Sequence, residues 1–77
     1  MDLYVLTREG SEVIAILQKA GRHDEASMLE YLGAADGATV EQVANFMHIS
    51  TEVAYDKLRS LSAKRWVWHK QTKLTPF

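Results

Sequence analysis

The sequence predicts a mainly α-helical fold with a small β-hairpin near its C-terminal end. Val40, Val43, Ala44 and Met47 recur at the i, i+3, i+4, i+7 spacing of one helical face. This period breaks at residues 48–50 and restarts on a new axis at Ala54, Leu58 and Leu61. A β-prone aromatic run, Trp66-Val67-Trp68, follows the second helix.

Length and composition restrict the chain to one small domain. It has 77 residues, of which 47% are hydrophobic, and no cysteine. The lack of cysteine excludes disulfides and thiolate metal sites and favours a reducing, cytoplasmic location. The longest apolar run, residues 13–17, is far shorter than the roughly 20 residues that cross a bilayer. The N-terminus lacks the pattern of a secretory signal, so we expect no membrane association.

Residues 1–21 are predicted to form an N-terminal strand and helix. Residues 3–6 are β-prone, and Thr7 or Ser11 can cap a helix over about residues 8–20 that stops at Gly21. This helix is apolar on more than one side, and such a helix is either deeply buried or part of an interface. We therefore expect a homodimer or a protein partner to dock on it, or else burial within the monomer. The candidate interface residues are Val13, Ile16 and Leu17.

Residues 24–75 are predicted to form a three-helix core with a hairpin. Asp24 can cap a helix that ends near Gly33. Ala38 and Thr39 can add a very short strand. Thr39 and Gln42 have the spacing of a capping box, which gives the third helix a defined start.

The fourth helix follows the turn at residues 48–50. Ile49 is expected to plug the core between the two helices, because it is the apolar residue of that turn. Ser50 or Thr51 can cap the fourth helix, which runs to about Lys64 or Arg65. Two helices joined by so short a turn form the helix-turn-helix pattern.

A hairpin is predicted after the fourth helix. Its first strand contains residues 66–68, its tip lies at residues 71–72, and residues 73–75 return. Trp66 is expected to seal the small core, and alternation along a strand puts Trp68 on the same face. As an alternative, the N-terminal strand joins this hairpin as a third strand.

This order of helix, short strand, helix-turn-helix and hairpin resembles the winged helix-turn-helix superfamily over residues 24–75. The matching positions are a small residue in the first helix of the motif, an apolar residue in the turn, a cap and three inward residues of the second helix. These residues are Ala44, Ile49, Ser50, Ala54, Leu58 and Leu61. His48 and Arg65 depart from the pattern, because glycine is common at both positions in the superfamily.

The resemblance implies a DNA-binding domain. Transcription regulators of the multiple-antibiotic-resistance type share the fold, as do domains attached to phenylalanyl-tRNA synthetase and domains used only for protein contacts. In such domains the second helix of the motif lies in the major groove and the wing contacts the phosphate backbone. Duplex DNA is therefore the expected partner, with a protein-interaction module or an RNA-binding appendage as alternatives.

The candidate nucleic-acid-binding residues come from the fourth helix and the basic segment after it. From Lys57 onward the chain has six basic residues and no acidic one, although its net charge is -1. Such a basic end is an electrostatic footprint for a polyanion. The polar face of the helix and the wing supply the candidates Ser50, Thr51, Tyr55, Arg59, Lys64, Arg65, Lys70 and Lys73.

Two carboxylates oppose this interpretation. Glu52 and Asp56 lie on the same outer helix face, where phosphates would approach, and they favour a protein partner instead. No nucleophile, phosphate-loop or zinc-hydrolase pattern is present in the sequence, and the three histidines lack metal-ligand spacing. We therefore predict no catalytic residue, no metal site and no cofactor.

Overall fold

The computed structural model of the chain describes residues 2–71. The elements, in chain order, are the strand β1, four helices and the strand β2. Their bounds are β1 Asp2–Leu6, α1 Arg8–Lys19, α2 His23–Ala35, α3 Val40–Met47, α4 Thr51–Ala63 and β2 Val67–Gln71. The prediction of a mainly helical fold with a small antiparallel β-element is confirmed.

The sheet joins the two ends of the described chain. β1 and β2 pair antiparallel, from Asp2 opposite Gln71 to Leu6 opposite Val67. Tyr4 also forms an isolated bridge with Ala38, which confirms the very short strand predicted there. β1 therefore lies between Ala38 and β2. The predicted return strand, residues 73–75, lies outside the described residues.

The N-terminal segment belongs to the core of the domain. Tyr4 and Leu17 are buried in the same apolar cluster as α2, α3 and α4. The N-terminal strand and helix therefore pack into the same core as the helices that follow them. Within residues 2–71 one buried cluster joins the N-terminal segment to the later elements; it consists of Tyr4, Leu17, Ala26, Met28, Leu29, Leu32, Ala38, Val43, Ala44, Ala54, Leu58, Leu61 and Val67.

Three of the four helices begin at a side-chain cap. The Thr7, Thr39 and Ser50 hydroxyls accept from the amides of Gly10, Gln42 and Val53. The Gln42 side chain accepts from the Thr39 amide, so the predicted capping box is confirmed. These bonds satisfy amides that a helix start leaves without intrahelical partners.

The predicted start of α2 is wrong. α2 begins at His23 after Arg22, without a side-chain cap, so Asp24 lies inside the first turn. A carboxylate there still interacts favourably with the positive end of the helix dipole. α2 also continues past Gly33 and ends where Asp36 adopts a left-handed conformation.

Two other non-glycine residues adopt the left-handed conformation where elements change direction. His48, with φ of 57°, ends α3, and Arg65, with φ of 65°, lies between α4 and β2. A side chain at positive φ is strained by contact between Cβ and the backbone. His48 and Arg65 replace the glycines that are common in the superfamily, and both still adopt the backbone conformation that suits glycine.

Candidate nucleic-acid interface

Helix α4 divides into a buried stripe and three exposed strips. Ala54, Leu58 and Leu61 are almost completely buried, as predicted. Because the helix turns every 3.6 residues, the other residues face the sheet, face solvent, or face α2. The predicted binding residues are distributed over these strips, and the strips differ in charge and in the element that they face.

The sheet-facing strip and the sheet line a small cavity that is open to solvent. Tyr55 and Arg59 from α4 line it together with Tyr4 of β1 and His69 of β2. Its volume is about 290 Å³, and Ser62 and Ala63 complete its α4 side. The structure thus brings together two predicted binding residues, Tyr55 and Arg59, with two that sequence reasoning missed.

The aromatic floor of this cavity is a stacked pair. The rings of Tyr4 and His69 lie 4.6 Å apart and only 5° from parallel. Tyr4 is 3% exposed, whereas Tyr55 above it is 47% exposed. The signal for His69 was present in the sequence, since it lies two residues after the buried Val67 and so points to the same side of β2.

The corner between α4 and β2 fixes how these two elements face each other. The Thr7 hydroxyl donates to the Arg65 carbonyl at 2.7 Å, and the Thr7 amide donates to the Trp66 carbonyl at 3.1 Å. Gly10 lies so close that an added Cβ would come within 2.1 Å of the Trp66 carbonyl oxygen. The backbone that bears the exposed Arg65 side chain is therefore fixed by hydrogen bonds from Thr7 in the N-terminal segment.

The α2-facing strip is occupied by an ion pair. Lys64 Nζ lies 3.7 Å from Glu25 Oε2 and 5.0 Å from the centre of the Trp66 ring. Glu25 also pairs with Arg22 at 2.6 Å. Lys64, predicted to contact phosphate, is therefore engaged within the fold by a carboxylate and an aromatic face.

The solvent-facing strip is acidic. Glu52 and Asp56 are exposed, and Val53 beside them is 43% exposed. At the start of the helix Thr51 is exposed, whereas the Ser50 hydroxyl is used as the cap. The carboxylates therefore occupy the outermost face of α4, as the sequence predicted.

Strand β2 alternates between the core and solvent. Val67 is buried and His69 is half-buried, whereas Trp68 and Lys70 are exposed on the other side. Trp66 precedes the strand and packs half-buried against the core, which agrees with its predicted sealing role. The prediction that Trp66 and Trp68 share one face of the strand is wrong, because β2 begins at Val67 and Trp66 lies outside it. Lys73 lies outside the described residues.

Helix α1 directs most of its apolar surface into its own domain. Leu17 is buried, so this residue is not available to a partner as predicted. Val13 packs half-buried against the core, and only Ile16 of the three candidates is fully exposed, at 64%. A single exposed apolar side chain is ordinary on a protein surface.

Comparison of the chain with protein-family models, with curated proteins and with solved structures gives no significant match. Within residues 2–71, no helix has the length and apolar character needed to cross a bilayer. In the same part of the chain, no three histidine, aspartate or glutamate side chains are grouped as a metal site requires.

Proposed function

We propose that this chain is a winged helix-turn-helix domain that binds duplex DNA, as a cytoplasmic transcription regulator or as part of one. In this proposal α4 is the recognition helix in the major groove, and β2 belongs to the wing on the phosphate backbone. The observation that carries it is the convergence of Tyr55, Arg59 and His69 at one junction between these two elements.

The chemistry of this junction supports contact with a polyanion. Arg59 supplies a planar guanidinium with five donors, which suits phosphate oxygens or a guanine edge. Tyr55 and Thr51 lie one turn apart on α4 and expose hydroxyl groups that can donate to phosphates. Lys70 extends the positive charge along β2.

The test is a fluorescence-anisotropy titration of labelled duplex DNA with the intact chain at about 50 mM and about 200 mM salt. We expect binding at low salt and a marked loss of affinity at the higher salt, because neutralising phosphates releases counterions. Absence of binding to any duplex at low salt would refute the proposal.

A matched pair of lysine variants tests the orientation of the domain. Lys70→Ala removes a cation from β2, whereas Lys19→Ala removes one from the end of α1, which supplies no residue to the lining of the α4–sheet cavity. Lys70→Ala should weaken binding to all duplex sequences alike and lower the salt slope by about one. Lys19→Ala should leave both quantities unchanged, and equal effects of the two variants would contradict the assignment of β2.

The acidic strip of α4 supports a second candidate function, a protein-interaction module with the same fold. Glu52 and Asp56 flank the exposed Val53, which gives a face suited to a basic, partly apolar protein surface. The duplex titration separates the two functions. A domain that fails to bind DNA, and gains no affinity when both carboxylates are neutralised, fits the second function.

A further inference from the structure

The cavity between α4 and the sheet differs in charge from four other surface cavities lined by residues 2–71. Each of those four includes at least one aspartate or glutamate: Glu41, Asp36, the pair Asp24 and Glu25, and Glu30. The α4–sheet cavity has no carboxylate among its lining residues and has Arg59 instead. Its electrostatics therefore favour an anionic or electron-rich ligand.

Three of the six lining residues have aromatic rings: Tyr4, Tyr55 and His69. The Tyr4–His69 stack forms the floor, and the half-exposed Tyr55 ring forms part of the wall. Arg59 lies one helical turn after Tyr55, and both side chains line the cavity. Ser62 adds a hydroxyl from the next turn.

The size and position of the cavity limit what it can hold. At about 290 Å³ it lies at the lower end of the range for small-molecule sites. A single flat heteroaromatic ring system is small enough for this volume. A base that is still stacked and paired inside a duplex cannot enter the cavity, because its partner base and its stacked neighbours hold it in the helix. The cavity opens between the two elements that the proposed function brings to the nucleic acid.

We propose that this cavity holds one unpaired nucleobase, so that the domain binds a duplex with a single-stranded extension in preference to a blunt duplex. The base stacks on Tyr55, and Arg59 and Ser62 hydrogen-bond to its edge or to the adjoining phosphate. This inference rests on the proposed nucleic-acid function and names the part of the ligand that the junction recognises.

The experiment compares three labelled duplexes of identical paired sequence. One is blunt, one carries a short thymidine overhang, and one carries an abasic overhang with the same number of phosphates. We expect the thymidine overhang to bind at least about fivefold more tightly than the abasic overhang, which is the lower end of what stacking of one base supplies. The abasic probe removes the contribution of the extra phosphates.

Variants of the lining residue Tyr55 test whether the preference for the thymidine overhang over the abasic overhang depends on the cavity. Tyr55→Ala should reduce the ratio of the two overhang affinities to about one, whereas Tyr55→Phe should retain it because the ring remains. Phe46→Ala is the matched control, since Phe46 is also an aromatic residue that is 47% exposed but stacks on Tyr31 at the α2–α3 contact. It should leave the ratio unchanged.

The outcomes separate the two proposals. Equal affinity for thymidine and abasic overhangs, with tight binding of the blunt duplex, would overturn the base pocket and leave the duplex function standing. Binding of the thymidine overhang without binding of the blunt duplex would overturn the duplex function and retain the pocket. A preference that survives Tyr55→Ala in a folded variant would assign the base to another surface and refute the inference.

Discussion

Arg59 and Lys64 are both basic residues at the C-terminal half of α4 or its cap, yet they have different surroundings. Arg59 is exposed and lines the cavity against the sheet. Lys64 lies on the opposite flank, where Glu25 and the Trp66 ring hold its ammonium group. From sequence alone both residues belong to one basic segment with one expected role.

The difference shows that helical phase and the neighbouring element together decide what a charge can do. The flank that faces α2 meets the acidic start of that helix, with Asp24 and Glu25 in its first turn. The flank that faces the sheet meets Tyr4 and His69, and no carboxylate lines that cavity. The same type of side chain is consequently engaged within the fold on one flank and available to a ligand on the other.

The largest expected effect is on stability, and it comes from disrupting the α4–β2 corner. This corner positions both the sheet-facing and the α2-facing flank of α4. Gly10→Ala would place a Cβ 2.1 Å from the backbone carbonyl oxygen of Trp66, which cannot move without shifting β2. We expect the free energy of unfolding to fall by about 3 kcal/mol, the upper end for overpacked sites. Urea denaturation followed by circular dichroism measures this change.

Gly33→Ala is the control for that substitution. Its Cβ would lie 2.9 Å from a terminal methyl group of Leu6, which is flexible, and alanine favours the helix by about 1 kcal/mol over glycine. We expect stability to change by less than about 1 kcal/mol, because the two effects oppose each other. A loss as large as that of Gly10→Ala would show that the corner has no special role.

The second largest expected effect is a difference in duplex affinity between variants of the two flanks of α4. Arg59→Ala should weaken duplex binding by about tenfold, within the range for one arginine contact to a base or phosphate. Lys64→Ala should change affinity by less than about twofold, and its effect should instead be a loss of up to about 1 kcal/mol in unfolding free energy. Anisotropy titrations and urea denaturation of both variants measure these quantities. If Lys64→Ala weakens binding as strongly as Arg59→Ala, the two flanks of α4 do not differ in their access to DNA.

A smaller effect concerns the acidic strip between the flanks. Neutralising it with Glu52→Gln and Asp56→Asn should tighten duplex binding by a few fold, since each carboxylate repels nearby phosphates by about 0.5 kcal/mol in water-like surroundings. Glu9→Gln in α1 is a control that removes one negative charge, half the change in the double variant, and it should have little effect. Unchanged duplex affinity in the double variant would show that this face of α4 does not approach the phosphates, which contradicts the proposed placement of α4.

The smallest effect comes from a substitution in the turn before α4. This substitution should not alter either flank of the helix. His48→Gly should raise the unfolding free energy by about 0.5–1 kcal/mol, because glycine tolerates the φ of 57° without steric strain. Thermal or urea denaturation measures the gain, and duplex affinity should not change. His48→Ala keeps the Cβ and therefore should bring no such gain.

Local features of this chain were readable from its sequence because they depend on residues a few positions apart. Thr39 with Gln42, and Ser50 with Val53, make their hydrogen bonds within one helical turn. The buried stripe of α4 likewise follows from helical periodicity. The error at Asp24 has a local origin too, since a residue suited to the cap position is equally favourable in the first turn.

Contacts between distant parts of the chain were decided only by the tertiary structure. The pairing of β1 with β2, the bond from Thr7 to Arg65, and the ion pair of Lys64 with Glu25 each join segments that no local pattern relates. Their formation depends on which apolar faces can be buried together in one core. For that reason the sequence by itself determined the helices and their buried faces, whereas the tertiary structure decided which flank of α4 carries the candidate site.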